Sequence, residues 1–435
     1  MKRLCAFGGN TKFSSKQFQM KPLLFLSFLF AALNVGAQVT VKNNQIILGK
    51  TDSVYSKIIG EKRKVWIYLP GDYNDISLPR KIYPVVYLLD GDGHFSSIAG
   101  MIQQLSEVNG NMVLPQMIIV AIPNTNRMRD LTPSQAKTSY EGKKDPALAI
   151  TGGGEKFTAF IQQELMPHID SAYRTAPYKL FIGHSLGGLM VINTLINHSD
   201  MFNAYIAIDP SMWWDGKKLL TQARQLLDQK RFGGKSLYMG IANTMDEGMD
   251  TLKVRKDTAN ASLHIRSILA LKDMLQNKAA DGLTFGYQYY SNDTHSSAPL
   301  ITAYDGMRFL FPFYKMPAGA ESKIETDDAF DIPAFYSNFY ADISKHMGYK
   351  VLPNQGDLNQ TGYYFLQAHK PQKAYQFFAI NIANYPQSAN AYDSMGDYYA
   401  DQKNKAKAIE MFTKAYQLGK NPDTKKKLDK LVAGK

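Results

Sequence analysis

A glycine-flanked serine between an apolar strand and an apolar helix constrains this chain more than any other feature. The run Phe181-Ile182-Gly183-His184-Ser185-Leu186-Gly187-Gly188 reads G-x-S-x-G. Residues 178–182 ahead of it have the character of a short buried strand, and residues 189–197 behind it carry helical apolar spacing. Glycines on both sides let the backbone reverse without a Cβ clash. Such a bend lifts the hydroxyl clear of the sheet and sets it at a helix N-terminus, where free N–H groups and the dipole favour developing negative charge. Ser185 is therefore a candidate nucleophile. The five-residue pattern also occurs in plain loops, and the strand-turn-helix setting is what singles this one out.

The flanking sequence alternates strands and helices. Apolar runs at 65–69, 83–89, 116–122, 204–208, 237–242 and 283–290 end in turn residues, and 155–173 and 299–311 have amphipathic helical spacing. This alternation implies an α/β fold, a doubly wound and mostly parallel sheet covered on both faces, over residues 38–313. Ligands bind such sheets beyond the carboxyl ends of the strands. Residues 314–331, with Pro317, Gly319 and an acidic cluster, read as a polar linker. In the tail, 332–435, Gly362, Tyr364, Ala374 and Phe378 recur 34 residues later as Gly396, Tyr398, Ala408 and Phe412. That period is the tetratricopeptide pattern, two helix hairpins expected to dock on a helix near 334–346 or on the main domain. The repeats serve either as a groove for a protein partner or as a structural appendage.

The chain has 435 residues and a formal charge of +12. Lys2, Arg3, Lys12, Lys16 and Lys21 precede residue 38 without any acid, and the remainder carries +7. No basic run is interleaved with aromatics, so nucleic acid is not an expected partner. Lys21, an apolar run at 23–33 and small residues up to Ala37 read as an export signal on residues 1–37, with Met20 as an alternative start. This predicts a periplasmic or secreted protein with no membrane span in its mature form. The single cysteine, Cys5, falls within that segment. A mature chain without thiols excludes thiol catalysis, cysteine metal sites and disulfides.

A serine nucleophile needs a base, and the base an orienting acid. Of eight histidines, His295 lies in the loop after the last strand, where the base belongs. His184 sits inside the bend, His198 ends the following helix, and His168 and His264 fall in helical patterns as surface or boundary residues. His346 and His369 lie beyond the linker, and His94 suits substrate contact. The acid should follow the strand 237–242, where Asp246 is favoured and Glu247 and Asp250 are alternatives. Asp209 is an outside candidate, and a dyad without an acid stays open. Two backbone donors, the N–H groups of Leu186 and Gly91, suit an oxyanion hole.

With these pieces placed, the chain resembles the putative-esterase family of α/β-hydrolases, which includes enterochelin esterases, S-formylglutathione hydrolase and feruloyl or acetyl-xylan esterases. The resemblance rests on Leu88-Leu89-Asp90-Gly91, on Asn126 to Pro133, on the Ser185 segment, on Ile208-Asp209-Pro210-Ser211-Met212-Trp213-Trp214, and on Thr294 to Leu300. It covers roughly residues 45–313 and favours the siderophore-esterase branch. It implies Ser185 as nucleophile, His295 as base and Gly91 with Leu186 as oxyanion donors. The loop around Asp246 lacks a clean family signature. Arg127 and Arg129 would grip a substrate carboxylate or aryl ring, or else pair with Asp130. Trp213 and Trp214 would wall an acyl or aryl pocket, with core packing as the competing role for one of them. The implied function is a serine esterase without metal or organic cofactor, acting on a siderophore ester. A carbohydrate esterase acting on a polysaccharide-linked ester and a non-catalytic partner-binding module are the alternatives.

Overall fold

The computed structural model describes residues 40–434 apart from 43, 76–78, 228, 230 and 278–281. The expected export signal, with Cys5, lies outside the described residues. A small antiparallel hairpin, β1 (Thr40–Lys42) and β2 (Gln45–Ile47), precedes the main sheet. That sheet contains β3 (Lys50–Ser56), β4 (Glu61–Tyr68), β5 (Tyr83–Leu89), β6 (Ile118–Ile122), β7 (Thr175–His184), β8 (Ala204–Ile208), β9 (Lys235–Ala242) and β10 (Leu283–Tyr290). Their spatial order is β10-β9-β8-β7-β5-β6-β4-β3, parallel from β10 through β6 and antiparallel at β4 and β3. Every run expected as a strand is one, and β3 and the hairpin are additions.

The strands β5, β6 and β8 are buried along their whole length, as apolar strands covered on both faces must be. Alternate residues of β5 feed opposite layers. Val85, Tyr87 and Leu89 join one core cluster, and Val86 and Leu88 join the other. Pro84 has no N–H to give the ladder, and the pairing of β5 with β7 shifts register between Tyr83 and Val85.

One layer holds α3 (Gly154–Phe160) and α4 (Met166–Ala172), joined by the π turn Ile161–Leu165, together with α5 (Leu186–Asn197), α6 (Trp214–Leu226) and α7 (Leu263–Asn277). The other holds α1 (Gly91–Ser106) and α8 (Ala298–Leu310). A single-turn helix, α2 (Arg127–Asp130), follows β6. The chain leaves β5 toward β6 and leaves β7 toward β8, so the crossovers diverge between β5 and β7. That divergence opens the crevice in which open α/β sheets bind ligands.

The segment expected as a linker carries α9 (Ala320–Thr326), with Ala320 and Ile324 buried. Next, α10 (Ile332–Met347) lays Phe339, Tyr340, Ile343 and Met347 into the same cluster as α1 and α8. Each such buried side chain contributes roughly 1.5–3 kcal/mol, so α10 is a working part of the sheet's cover. Its opposite side, with Phe335 and Tyr336, packs on α11 (Gln355–Gln367) and α12 (Pro371–Asn384). A second hairpin, α13 (Ala389–Asp401) and α14 (Lys405–Gly419), and a final α15 (Pro422–Val432) complete the all-helical tail. The two hairpins share a glycine-aromatic contact. A Cβ on Gly362 would stand 2.5 Å from the Phe378 ring, and one on Gly396 would stand 2.6 Å from Phe412.

Candidate active site

Ser185 stands where β7 ends and α5 begins, with φ 59° and ψ −113°. This conformation is costly for a residue with a side chain and persists only when the surroundings enforce it. Here they do. The Ser185 N–H donates to the Ile208 carbonyl, and the Ser185 carbonyl accepts from the N–H of Ser211, both at 3.0 Å. A Cβ on Gly183 would meet the Gly187 carbonyl oxygen at 2.4 Å, and one on Gly188 the Ile208 carbonyl oxygen at 3.0 Å. The glycines that mark the bend in sequence are the points where its backbones touch. The Ser185 hydroxyl lies 3.2 Å from that of Ser211.

The same contacts bring the end of β8 beside the serine. Asp209, at φ 42°, is the next residue after β8 and is fully buried. Its Oδ1 accepts from the Ala242 N–H at 2.9 Å. Its Oδ2 faces two imidazoles, His295 Nδ1 at 2.6 Å and His264 Nε2 at 2.8 Å. Burial pushes this carboxyl up, yet the hydrogen bonds from His264, His295 and Ala242 more than offset it and hold the group well below the usual carboxylate range. Asp209 is thus an anion at neutral pH, able to orient a histidine.

His295 is placed from above as well as from the side. Its carbonyl accepts from His184 Nε2 at 2.9 Å, and the two rings lie 4.5 Å apart. Burial, aided by the neighbouring imidazoles of His295 and His94, brings His184 down to about 4, so it is a neutral donor. Burial also lowers His94, whose ring meets that of His184 edge-on at 5.8 Å.

The acid partner differs from the favoured expectation. Asp246, Glu247 and Asp250 are exposed on the loop after β9. The Asp246 carbonyl closes a turn with Met249, and Asp250 caps the N–H groups of Leu252 and Lys253. Asp209, the outside candidate, holds His295 instead, because β8 lies directly beside β7 and its end reaches the bend first.

Gly91 and Leu186 are the first residues of α1 and α5, so neither N–H has a carbonyl partner inside its helix. The two helix starts are in contact: a Cβ on Gly187 would stand 3.0 Å from Asp90 Oδ2. A Cβ on Gly91 would run into Ala121 and the Ile122 nitrogen at 2.9 Å, which requires glycine there. Asp90 is buried and left-handed at φ 51°. Arg127 holds it in a two-pronged ion pair at 2.6 and 2.9 Å and also donates to the His184 carbonyl at 3.3 Å. Asn124 Nδ2 donates to the same carboxylate at 2.8 Å.

Both arginines expected to face substrate are therefore held by protein carboxylates. Arg129 bonds to Glu61 at 2.6 Å and to Asp130 at 2.7 Å, the ion-pair alternative, and Asp130 in turn pairs with the buried Arg63. Of the two tryptophans, Trp214 is core, 4% exposed, with its Nε1 donating to the Ser134 carbonyl. Trp213 is half-buried and packs edge-on against Tyr140 at 4.7 Å. The Tyr140 hydroxyl donates to the Asn260 carbonyl and accepts from the His264 N–H.

His264 bonds to the site carboxylate without any sequence signature that marks it. It sits in the first turn of α7, far from any motif, and a helical pattern around it reads as surface. In the fold its side chain is only 12% exposed and bonds to the site carboxylate.

The stretch 56–264 matches the family described as "Putative esterase". Ferri-bacillibactin esterase BesA of Bacillus subtilis (strain 168) is 34% identical over 145 residues, 31% of this chain. That match spans 49% of the relative, about half its length. The siderophore triacetylfusarinine C esterase of Aspergillus fumigatus is 23% identical over 276 residues, 59% of this chain and 92% of that protein. An IroE-like serine hydrolase from Shewanella oneidensis superposes with a TM-score of 0.64 at 33% identity, covering 77% of this chain and 98% of that one. An uncharacterised protein from Capnocytophaga ochracea shares the fold at a TM-score of 0.56 and 16% identity, over 88% of this chain and 99% of that one. The chain belongs to the putative-esterase family, enterochelin-esterase-like proteins built on the α/β-hydrolase fold.

Proposed function

We propose that the chain is an exported serine esterase that cleaves siderophore esters through an acyl-enzyme. The observation that carries this reading is a strained serine at the end of β7 beside a buried carboxylate at the end of β8 that bonds to the His295 imidazole. With Nδ1–H bonded to Asp209, the His295 Nε2 keeps a lone pair. The Ser185 hydroxyl turns from Ser211 toward that nitrogen, gives up its proton and attacks the ester carbonyl. Hydrogen bonds of this kind tighten when substrate binds. The tetrahedral oxyanion rests on the N–H groups of Gly91 and Leu186, each reinforced by the helix behind it. His295 then protonates the leaving alcohol and later takes the proton of the water that frees the acid. Trp213 and Tyr140 form an aromatic wall beside His264 that suits an aryl-bearing substrate.

Siderophore esters are proposed as substrates because the similar ferri-bacillibactin and triacetylfusarinine C proteins are siderophore esterases. Export is proposed from Lys21 and the apolar run before Ala37. Among the described residues no helix is long and apolar enough to cross a membrane. The hairpins α11–α12 and α13–α14 are read as tetratricopeptide-like repeats from their 34-residue period. A fluorophosphonate probe tests the mechanism: it should label the wild type at Ser185 and leave Ser185→Ala unlabelled and without aryl-ester hydrolysis. Labelling elsewhere, or turnover retained in that variant, would overturn it. Parallel assays on a catecholate siderophore ester and a feruloyl polysaccharide ester separate the two substrate classes.

A further inference from the structure

The Asp209 carboxylate is shared by two imidazoles, and an acid-base pair needs only one. The ligand atoms are His264 Nε2, His295 Nδ1 and Asp209 Oδ2, all within 4.8 Å of one another. Among the described residues this is the one group of three such side chains that converges in this way. Two imidazoles and a carboxylate with a side open to solvent are a donor set for divalent first-row transition ions. A tetrahedral ion with bonds of about 2.1 Å wants its ligand atoms about 3.4 Å apart, so the two rings would swing outward from the 2.6 and 2.8 Å they keep to Oδ2. The carboxylate is fully buried, and its partners are two imidazole rings and one backbone N–H. The His295 ring is 37% exposed, which gives an ion a way in.

We propose that Asp209, His264 and His295 form an inhibitory site for a divalent transition cation such as Zn2+. The ion replaces the two N–H···O hydrogen bonds on Oδ2 with three coordinate bonds. Each imidazole stays neutral, and its proton moves through solvent to the other ring nitrogen. On His295 that places the proton on Nε2, the nitrogen that must be bare to accept the proton of Ser185. The cation thus switches off the base by inverting its tautomer, without touching the serine. Asp209 Oδ1 keeps its bond to Ala242 throughout, so the carboxylate need not leave its place. The inhibitory consequence rests on the esterase reading, whereas the binding does not.

The test separates the two. The full chain carrying Ser185→Ala, stripped of metal and free of any histidine tag, is titrated with Zn2+ by calorimetry and with Co2+ by visible absorption. One equivalent should bind, with affinity at least tenfold weaker in His264→Phe and in His264→Gln. The glutamine keeps a donor for Asp209 while ligating poorly, so it decides the matter if the phenylalanine variant does not fold. In the wild type, saturating Zn2+ should suppress aryl-ester hydrolysis at least tenfold, and a chelator should restore it. Equal affinity in the histidine-264 variants, or undiminished turnover with Zn2+ bound, overturns the proposal. Failure of the fluorophosphonate probe to label Ser185 would instead defeat the esterase reading and leave the binding result standing.

Discussion

His295 Nδ1 and Asp209 Oδ2 lie 2.6 Å apart although 86 residues separate them in the chain. Two different strand ends, those of β8 and β10, must be correctly stacked for this bond to exist. The replacement Asp209→Asn keeps the shape but removes the charge and permits the wrong tautomer. It should lower kcat on an aryl ester by about 10²–10⁴-fold. The exposed Asp246→Asn should leave kcat within about twofold. Steady-state kinetics on the two variants decide between β8 and the loop after β9 as the source of the acid.

Arg127 neutralises a carboxylate that touches the start of α5. Without it, Asp90 would present an unpaired negative charge next to Gly91, one of the proposed oxyanion donors. Arg127→Ala should therefore cut kcat roughly 10–100-fold while moving KM by less than about threefold. Arg127→Lys, with one prong instead of two, should recover part of the loss. A variant that raised KM alone would instead indicate a grip on substrate.

Burial holds His184 at about 4 and His94 below its ordinary value, so both are neutral in the fold and protonate more readily once unfolded. The unfolded chain therefore binds more protons below the ordinary histidine value. The sign follows: stability is full above about pH 6.5 and falls as pH drops from there toward 4. For His184 the full loss is at most about 3 kcal/mol. Denaturant midpoints measured across this range should fall, and His184→Gln should flatten the slope.

In the tail, Gly362→Ala sets two effects against each other. Helix propensity favours alanine by about 1 kcal/mol. The added methyl meets the Phe378 ring at 2.5 Å, and overpacking of this kind costs about 1–3 kcal/mol. The clash should win, giving net destabilisation of about 1 kcal/mol in urea unfolding. Adding Phe378→Leu should cost less in the Gly362→Ala background than in the wild type. The pair Gly396 and Phe412 should behave in the same way.

The parts legible in the sequence were those with local signatures. Buried strands such as residues 204–208 are short apolar runs closed by turn residues, and the Ser185 bend carries its glycines in adjacent positions. The position of His295 near the strand ends was legible from its place after the last long strand. The helix α1 was obscured by its opening Gly91-Asp92-Gly93, which reads as a turn, and β3 by its polar residues on an edge. The acid is expected after β9, whereas the carboxylate bonded to His295 is Asp209, after β8. What decides between them is the adjacency of β7 and β8, a non-local fact. His264 and the Arg127–Asp90 pair depend on long-range contacts that leave no local spacing to read.

On the proposed mechanism, delivery of the acid from β8 has a consequence for the stretch 243–262. That stretch joins β9 to α7, and its Asp250 and Asp257 bond to backbone N–H groups of the stretch itself. Under that mechanism its composition and length can drift, or be exchanged by design, while Ser185, His295 and Asp209 stay in place, provided the first turn of α7 still presents its imidazole. Grafting alternative sequences there is a route to new acyl or alcohol preferences on an unaltered chemical engine.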